Sequence, residues 1–352
     1  VKTVITITGI RPDFIRMSEI FKKLDKNFNH ILIHSGQHYD TKLSLIFFKE
    51  LNIRIPDYNL NIGGPNKEHF EQTGELSIKL IKLIRDEELN PDLIIFLGDS
   101  NSVVSSIALK KEGYKIAHIE AGMRSGDKRM LEEINRMVCD TCSDFLFVYH
   151  ENYKNKLKKE NIKNNVYVVG NTIVEIINKY KPTPVKVKKH IILDIHRPEN
   201  FNNKNRLENI VSYSNSVSYM NKLPIYLIGF PRTLNKLKEF NINLGNIKII
   251  ELLSFKKYLK KINESKFIIS DSGTAQEEPA LLGIPVIVPR DFTERPESIE
   301  NNCSFMIDVN TMNNSTWCNS MAWLKIYDKV EIEWLGDGKT SDKIINIIKN
   351  KI

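Results

Sequence analysis

Short runs of β-branched and other apolar residues recur along this chain, and nearly every one is followed by a stretch with apolar residues at helical spacing. In the first 170 residues the runs are 4–8, 30–35, 93–98, 115–120, 145–149 and 166–170, and the amphipathic stretches include 12–24, 70–86, 100–112 and 131–142. Parallel strands need long crossovers, and a helix is the usual one. The alternation therefore predicts one doubly wound α/β domain. Around 179–190 it is interrupted by KYKPTPVKVKKH, with two prolines and six basic residues, which reads as the exit from an interdomain helix. Strand-like runs restart at 190–196, 224–230, 247–253, 267–273 and 285–290, with helical stretches at 204–220 and 276–282. This predicts a second α/β domain of similar size. A last amphipathic helix at 341–350 fits either half.

With 41% hydrophobic residues over 352 positions, the chain can bury two cores. No window of about 18 apolar residues occurs and the chain begins strand-like, so neither a membrane span nor a signal peptide is expected, and the default location is cytoplasmic. The 51 basic and 43 acidic residues leave a formal +8, without the basic stripe interleaved with aromatics that nucleic-acid binding needs. A small polyanion such as a nucleotide remains compatible. Cys139 and Cys142 form a C-x-x-C in a helix-like stretch with no second pair at ligand spacing, so no metal or redox role is assigned.

Open α/β sheets bind ligands beyond the carboxyl ends of their strands, and two such edges facing each other predict a cleft. The polar motifs fall there. T-G-I-R-P-D-F-I-R at 8–16 places Arg11 and Arg16 near a helix start, which suits an anion such as a diphosphate. It is not a G-x-G-x-x-G fingerprint. In G-Q-H-Y-D at 36–40, Gln37 and His38 are candidate ligand contacts, beside the plainer reading of a polar turn. Asp99 in L-G-D-S-N-S is either a helix cap or a residue of the site. The stretch 118–136, H-I-E-A-G-M-R-S-G-D-K-R-M-L-E-E-I-N-R, brings Glu120, Arg124, Glu132 and Arg136 to one strand end and the next helix start. Crowded carboxylates repel, so at least one pKa is expected to rise, which supplies an acid or base near neutrality. In the second half, His196 and Arg197 follow a strand in I-H-R-P-E-N. Ser272, Gly273 and Thr274 in S-D-S-G-T-A-Q-E-E-P offer hydroxyls and backbone N–H groups to an anion, Glu278 suits a ribose diol, and T-E-R-P-E adds Arg295.

Taken in order, these motifs resemble the non-hydrolysing UDP-N-acetylglucosamine 2-epimerase family. Its hallmarks are G-x-R-P, G-D-S/T, H-x-E-A-G-x-R with E-E-x-N-R, G-N-T, H-R-x-E-N, D-S-G-x-x-Q-E-E, T-E-R-P-E and a closing G-D-G-K, all present between Gly9 and Lys339. The resemblance implies two Rossmann-like domains facing a cleft, of the glycosyltransferase-B type. Residues 1–171 with the returning helix 340–352 would form one, and 172–339 the UDP-binding other. It implies inversion at C2 of a UDP-2-acetamido sugar, through loss of the C2 proton and of UDP to a 2-acetamidoglycal, and re-addition on the opposite face. No cofactor is needed, and a homodimer serving surface polysaccharide synthesis is expected. Carried to matching positions, Asp99, Glu120, Glu132 and His196 look catalytic. Arg11, Ser272, Gly273, Glu278 and Arg295 look like UDP contacts, with Arg16, Gln37, His38, Arg124, Arg136, Arg197 and Thr274 as further substrate contacts.

Departures bear on the substrate. Arg16 stands where the common form has Lys, Pro198 replaces Arg in H-R-R-E-N, and Phe230-Pro231 stands for H-P. The segment from Glu120 to Arg136 lacks P-W-P-E-E and is two residues shorter. This looks like the branch acting on UDP-2-acetamido-2,6-dideoxy-L-hexoses or diacetamido uronic acid sugars. A 6-deoxy-L-hexose such as UDP-N-acetyl-L-rhamnosamine is the leading expectation, with UDP-N-acetylglucosamine as the alternative. A hydrolysing relative, a transferase and a sugar sensor are the competing classes.

Overall fold

The computed structural model describes residues 1–36, 48–64, 67–311, 314–328 and 331–352. It divides into two compact units, Val1–Asn178 with Trp334–Ile352, and Lys179–Glu333. In the first unit β1 (Thr3–Thr8), β2 (Asn29–His34), β3 (Tyr58–Asn59), β4 (Leu93–Leu97), β5 (Ile116–Ile119), β6 (Phe145–Val148) and β7 (Val166–Val168) form a 7-stranded parallel sheet in the order β3-β2-β1-β4-β5-β6-β7. The order reverses between β1 and β4, where a doubly wound sheet opens a crevice. The strands carry apolar residues on both faces because helices cover both.

Helix α1 (Arg11–Asn27) shows why these residues pack as they do. Pro12 pre-sets its first turn, and Phe14, Met17, Ile20, Phe21 and Leu24 recur at helical spacing and are at most 2% exposed. Burying each contributes on the order of 1.5–3 kcal/mol. The same cluster takes in Ile344, Ile345 and Ile348 of the last helix, Thr340–Lys351. Lys23 of α1 donates to Ser341 Oγ at 2.7 Å.

In the second unit β8 (His190–Asp194), β9 (Ile225–Ile228), β10 (Lys248–Ile250), β11 (Ser265–Ser270), β12 (Val286–Val288) and β13 (Ser304–Met306) form a 6-stranded parallel sheet in the order β10-β9-β8-β11-β12-β13. Its reversal lies between β8 and β11. Two stretches expected as single helices are broken. Residues 100–112 form a 3₁₀ turn, Asn101–Ser105, followed by Ser106–Lys111, and 276–282 is reduced to Thr274–Gln276 and Glu278–Leu281. Among the described residues no helix is long and apolar enough to cross a membrane.

Candidate active site

In the first unit the motif residues gather at the carboxyl ends of β1, β4 and β5. A Cβ on Gly9 would stand 2.7 Å from Ser100 Oγ, so glycine is what lets the ends of β1 and β4 approach. Asp13, in the first turn of α1, accepts through Oδ2 from the N–H groups of Gly9 (2.7 Å) and Ile10 (3.0 Å) and fixes that turn. Burial is the main cause that raises its pKa to about 7; the two N–H groups oppose the rise, and Asp99 and Glu120 add to it.

Glu120 follows β5 in a left-handed conformation, φ 70°. Its N–H and that of Ala121 both donate to Phe147 O, so two residues oppose one on β6 and the carboxylate is re-aimed. Such a backbone stores about 1–3 kcal/mol of strain. Arg16 Nη1 donates to Glu120 Oε2 at 2.8 Å, with the two side chains 2% and 5% exposed. Arg136 Nη2 is hydrogen-bonded to Asp99 Oδ2 and lies 3.7 Å from Glu120 Oε1. Asn135 Nδ2 donates to Asp99 O at 2.8 Å. Asp99 is therefore no helix cap. Two guanidinium groups face Asp99 and Glu120. Asp13, with its raised pKa, is a residue the motif reading did not single out. Its signal was legible: an acid three residues into a helix reaches back to free N–H groups.

Behind these groups lies a buried frame. His118 sits between Asp140 Oδ1 (2.7 Å) and Gly98 O (2.8 Å), both acceptors, so both ring nitrogens carry protons. Burial opposes that charge, but Cys139 and Asp140 outweigh it and the His118 pKa stands well above its usual value. Asp140 Oδ2 accepts from Gly122 N (3.1 Å) and Arg124 (2.8 Å), tying the ends of β4 and β5 to α3 (Glu151–Lys159) by way of α2 (Leu131–Cys142). Arg124 also holds Glu160 at 2.9 and 2.7 Å and Met123 O at 2.9 Å. All three of its nitrogens are engaged within this frame. Arg16 is likewise committed to Glu120. Glu133 clamps the loop before α2, accepting from the N–H groups of Ser125 (2.8 Å) and Gly126 (3.0 Å). Glu132 is half-buried, one helical turn before Arg136. Arg11 is half-buried at the first position of α1, while Gln37 and His38 lie outside the described residues.

In the second unit the candidates gather where the sheet order reverses. Asp271, just after β11, accepts from His196 N (3.0 Å), Arg197 N (3.1 Å) and Asn200 Nδ2 (3.0 Å), joining the loop after β8 to that after β11. Ser272 Oγ and Thr274 Oγ1 are 3.1 Å apart. Arg295 donates to Glu277 at 2.7 Å and Glu294 at 2.6 Å. Glu294 also takes Arg290 at 3.0 Å and lies 3.6 Å from Arg197 Nη2. A Cβ on Gly273 would stand 2.4 Å from both Arg295 Nη1 and Glu294 Oε1. Glu278 is 6% exposed. The turn after β11 is shorter than the helix start expected there, so hydroxyls and arginines, rather than a helix dipole, are what it offers an anion.

Asp194, His196 and Asp271 bring ligand-type atoms within 4.8 Å of one another. Their atoms are already engaged: Asp194 takes His196 Nδ1 (3.0 Å) and Ser270 Oγ (3.2 Å), and Asp271 holds the three donors above. The arrangement orients an imidazole; it is not an open set of metal donors.

A family profile described as UDP-N-acetylglucosamine 2-epimerase matches residues 22–349. The UDP-N-acetylglucosamine 2-epimerase of Methanocaldococcus jannaschii is 36% identical over 97% of this chain and 97% of its own. A crystal structure of the M. jannaschii enzyme in complex with UDP-GlcNAc and UDP superposes with a TM-score of 0.90 at 35% identity, covering 99% of this chain and 100% of that one. The UDP-2,3-diacetamido-2,3-dideoxy-D-glucuronate 2-epimerase of Pseudomonas aeruginosa is 31% identical over 86% of this chain and 88% of its own. The fold is thus the two-unit, glycosyltransferase-B type arrangement of parallel sheets found in solved UDP-GlcNAc 2-epimerases. With the family profile spanning most of the chain, this protein belongs to the UDP-N-acetylglucosamine 2-epimerase family, a family of isomerases.

Proposed function

We propose that this protein inverts C2 of a UDP-linked 2-acetamido sugar, with UDP-N-acetylglucosamine as the substrate the relatives favour. The observation that carries the reading is Glu120, a strained, buried carboxylate at a strand end, set with Asp99 against Arg16 and Arg136. Asp99, Glu120 and Glu132 exchange the C2 proton on the two faces of the sugar while the C1–O bond to UDP breaks and re-forms. Arg11, Arg136 and, in the second unit, His196, Arg197, Ser272, Gly273, Thr274, Glu278 and Arg295 bind the UDP moiety and its developing charge. The elimination and re-addition need no redox step, so no cofactor enters.

A second reading keeps the chemistry and changes the sugar to a 6-deoxy-L-hexose such as UDP-N-acetyl-L-rhamnosamine. The shorter segment from Glu120 to Arg136 favours it, and the similarity to a diacetamido uronate epimerase supports a branch with other sugars. The test is proton NMR in D2O with each UDP-sugar in parallel. Loss of the H2 signal with a new UDP-linked anomeric signal is expected. Free reducing sugar plus UDP would instead mark a hydrolase, and no change with either sugar would end the epimerase reading.

A further inference from the structure

Asp194 ends β8 only two residues before His196 and is 4% exposed. Its Oδ1 lies 3.0 Å from His196 Nδ1; a carboxylate only accepts, so the ring donates. Asp194 cannot swing away, because Ser270 Oγ donates to Oδ2 at 3.2 Å and the Tyr258 hydroxyl is bonded to the same carboxylate. Asp271 Oδ1 is 3.6 Å from His196 Nδ1 and fixes the His196 backbone N–H at 3.0 Å. Phe230 covers one face of the ring, centroids 4.9 Å apart. The imidazole is held on one edge and one face. Its side chain is nevertheless 30% exposed, so the ring is open to a ligand.

We propose that Asp194 is the positioning residue for His196: it accepts the hydrogen bond from Nδ1–H, keeps the ring a cation, and presents Nε2–H to a diphosphate oxygen of the bound nucleotide. This rests on the reading in which His196 meets the diphosphate of a UDP-sugar. The ionisable groups facing the ring are Asp194 and Asp271, which favour the cation, and Arg197, which opposes it. Burial also opposes it, and the two carboxylates win, so the His196 pKa is raised. A cation aimed by a fixed carboxylate offers the diphosphate a charge-assisted hydrogen bond.

The test is a pH titration of the His196 ring by 15N NMR, assigned by its absence in His196→Gln, beside calorimetry with UDP. The wild-type midpoint is expected above 6.5, and in Asp194→Asn it falls by about 1–2 pH units, partly restored in Asp194→Glu. UDP should bind wild type and Asp194→Asn alike at pH 5.5, and about tenfold more weakly to the variant at pH 7.5. A wild-type midpoint at or below 6.5 overturns the proposal without recourse to any variant. So does an unchanged midpoint in Asp194→Asn, or a loss of UDP affinity equal at both pH values, which would mark a purely structural role. Failure of the epimerase reading shows separately: no C2 exchange with either UDP-sugar, while the His196 midpoint and UDP binding behave as expected.

Discussion

Asp13→Asn isolates a carboxyl group of the first unit whose pKa burial raises to about 7. Asparagine keeps an oxygen for the N–H groups of Gly9 and Ile10, so the turn into α1 can persist while the charge is lost. In the fold Asp13 protonates near 7, against 3.8 for the ordinary group, because burial disfavours its anion. A raised folded-state pKa means the native state holds the proton more tightly than the unfolded chain. Its contribution is therefore fully present below 3.8 and is lost as pH rises to 7, at about 1.4 kcal/mol per pH unit, or about 4 kcal/mol in all. Wild type should lose that much relative to Asp13→Asn between pH 4 and 8, and the variant should be the more stable of the two above pH 7. Amide exchange in β1 and β4, corrected for intrinsic rates, reads the stability of this unit by itself. A difference between the two proteins that stays constant from pH 4 to 8 would refute the argument, since it would mean Asp13 titrates alike folded and unfolded.

Three further outcomes are expected. Glu120→Gln should abolish solvent exchange at C2 while leaving UDP affinity within about twofold, measured by NMR in D2O and calorimetry; a parallel loss of both would make Glu120 a binding contact. Arg16→Met leaves Glu120 buried without its 2.8 Å partner and should destabilise the first unit by about 3–5 kcal/mol, with Arg16→Lys recovering part of it, as followed by amide exchange. Gly273→Ala drives a methyl group into Arg295 and Glu294, so UDP affinity should fall by about tenfold or more with little change at C2-proton chemistry per bound substrate. Unchanged affinity would place UDP elsewhere.

Most strands of the two sheets were legible because they lie in short runs rich in β-branched and other apolar residues. β3 and β13 were not: Tyr58–Asn59 and Ser304–Met306 are short and, unlike the three-residue strands β7, β10 and β12, carry no β-branched residue. The helix expected over 100–112 broke because its first turn is pressed against Gly9 and Asn135, a tertiary constraint with no local signature. Strand ends located the candidate residues, but not their partners. Arg16 and Glu120 are 104 residues apart, and nothing in either motif says that the cation of one is committed to the carboxylate of the other. Crowded acids were read as mutually repelling because the arginines that separate them come from different elements. Asp194 escaped notice for the opposite reason, sitting inside an apolar strand where an acid has no pattern to mark it.

The last helix gives synthesis an order. Ile344, Ile345 and Ile348 complete a cluster that otherwise consists of residues before position 170. As the chain leaves the ribosome, the first unit therefore waits with an open apolar face while the whole of Lys179–Glu333 emerges and folds. A chain that ends anywhere in the second unit lacks the last helix and leaves that face of the first unit uncovered.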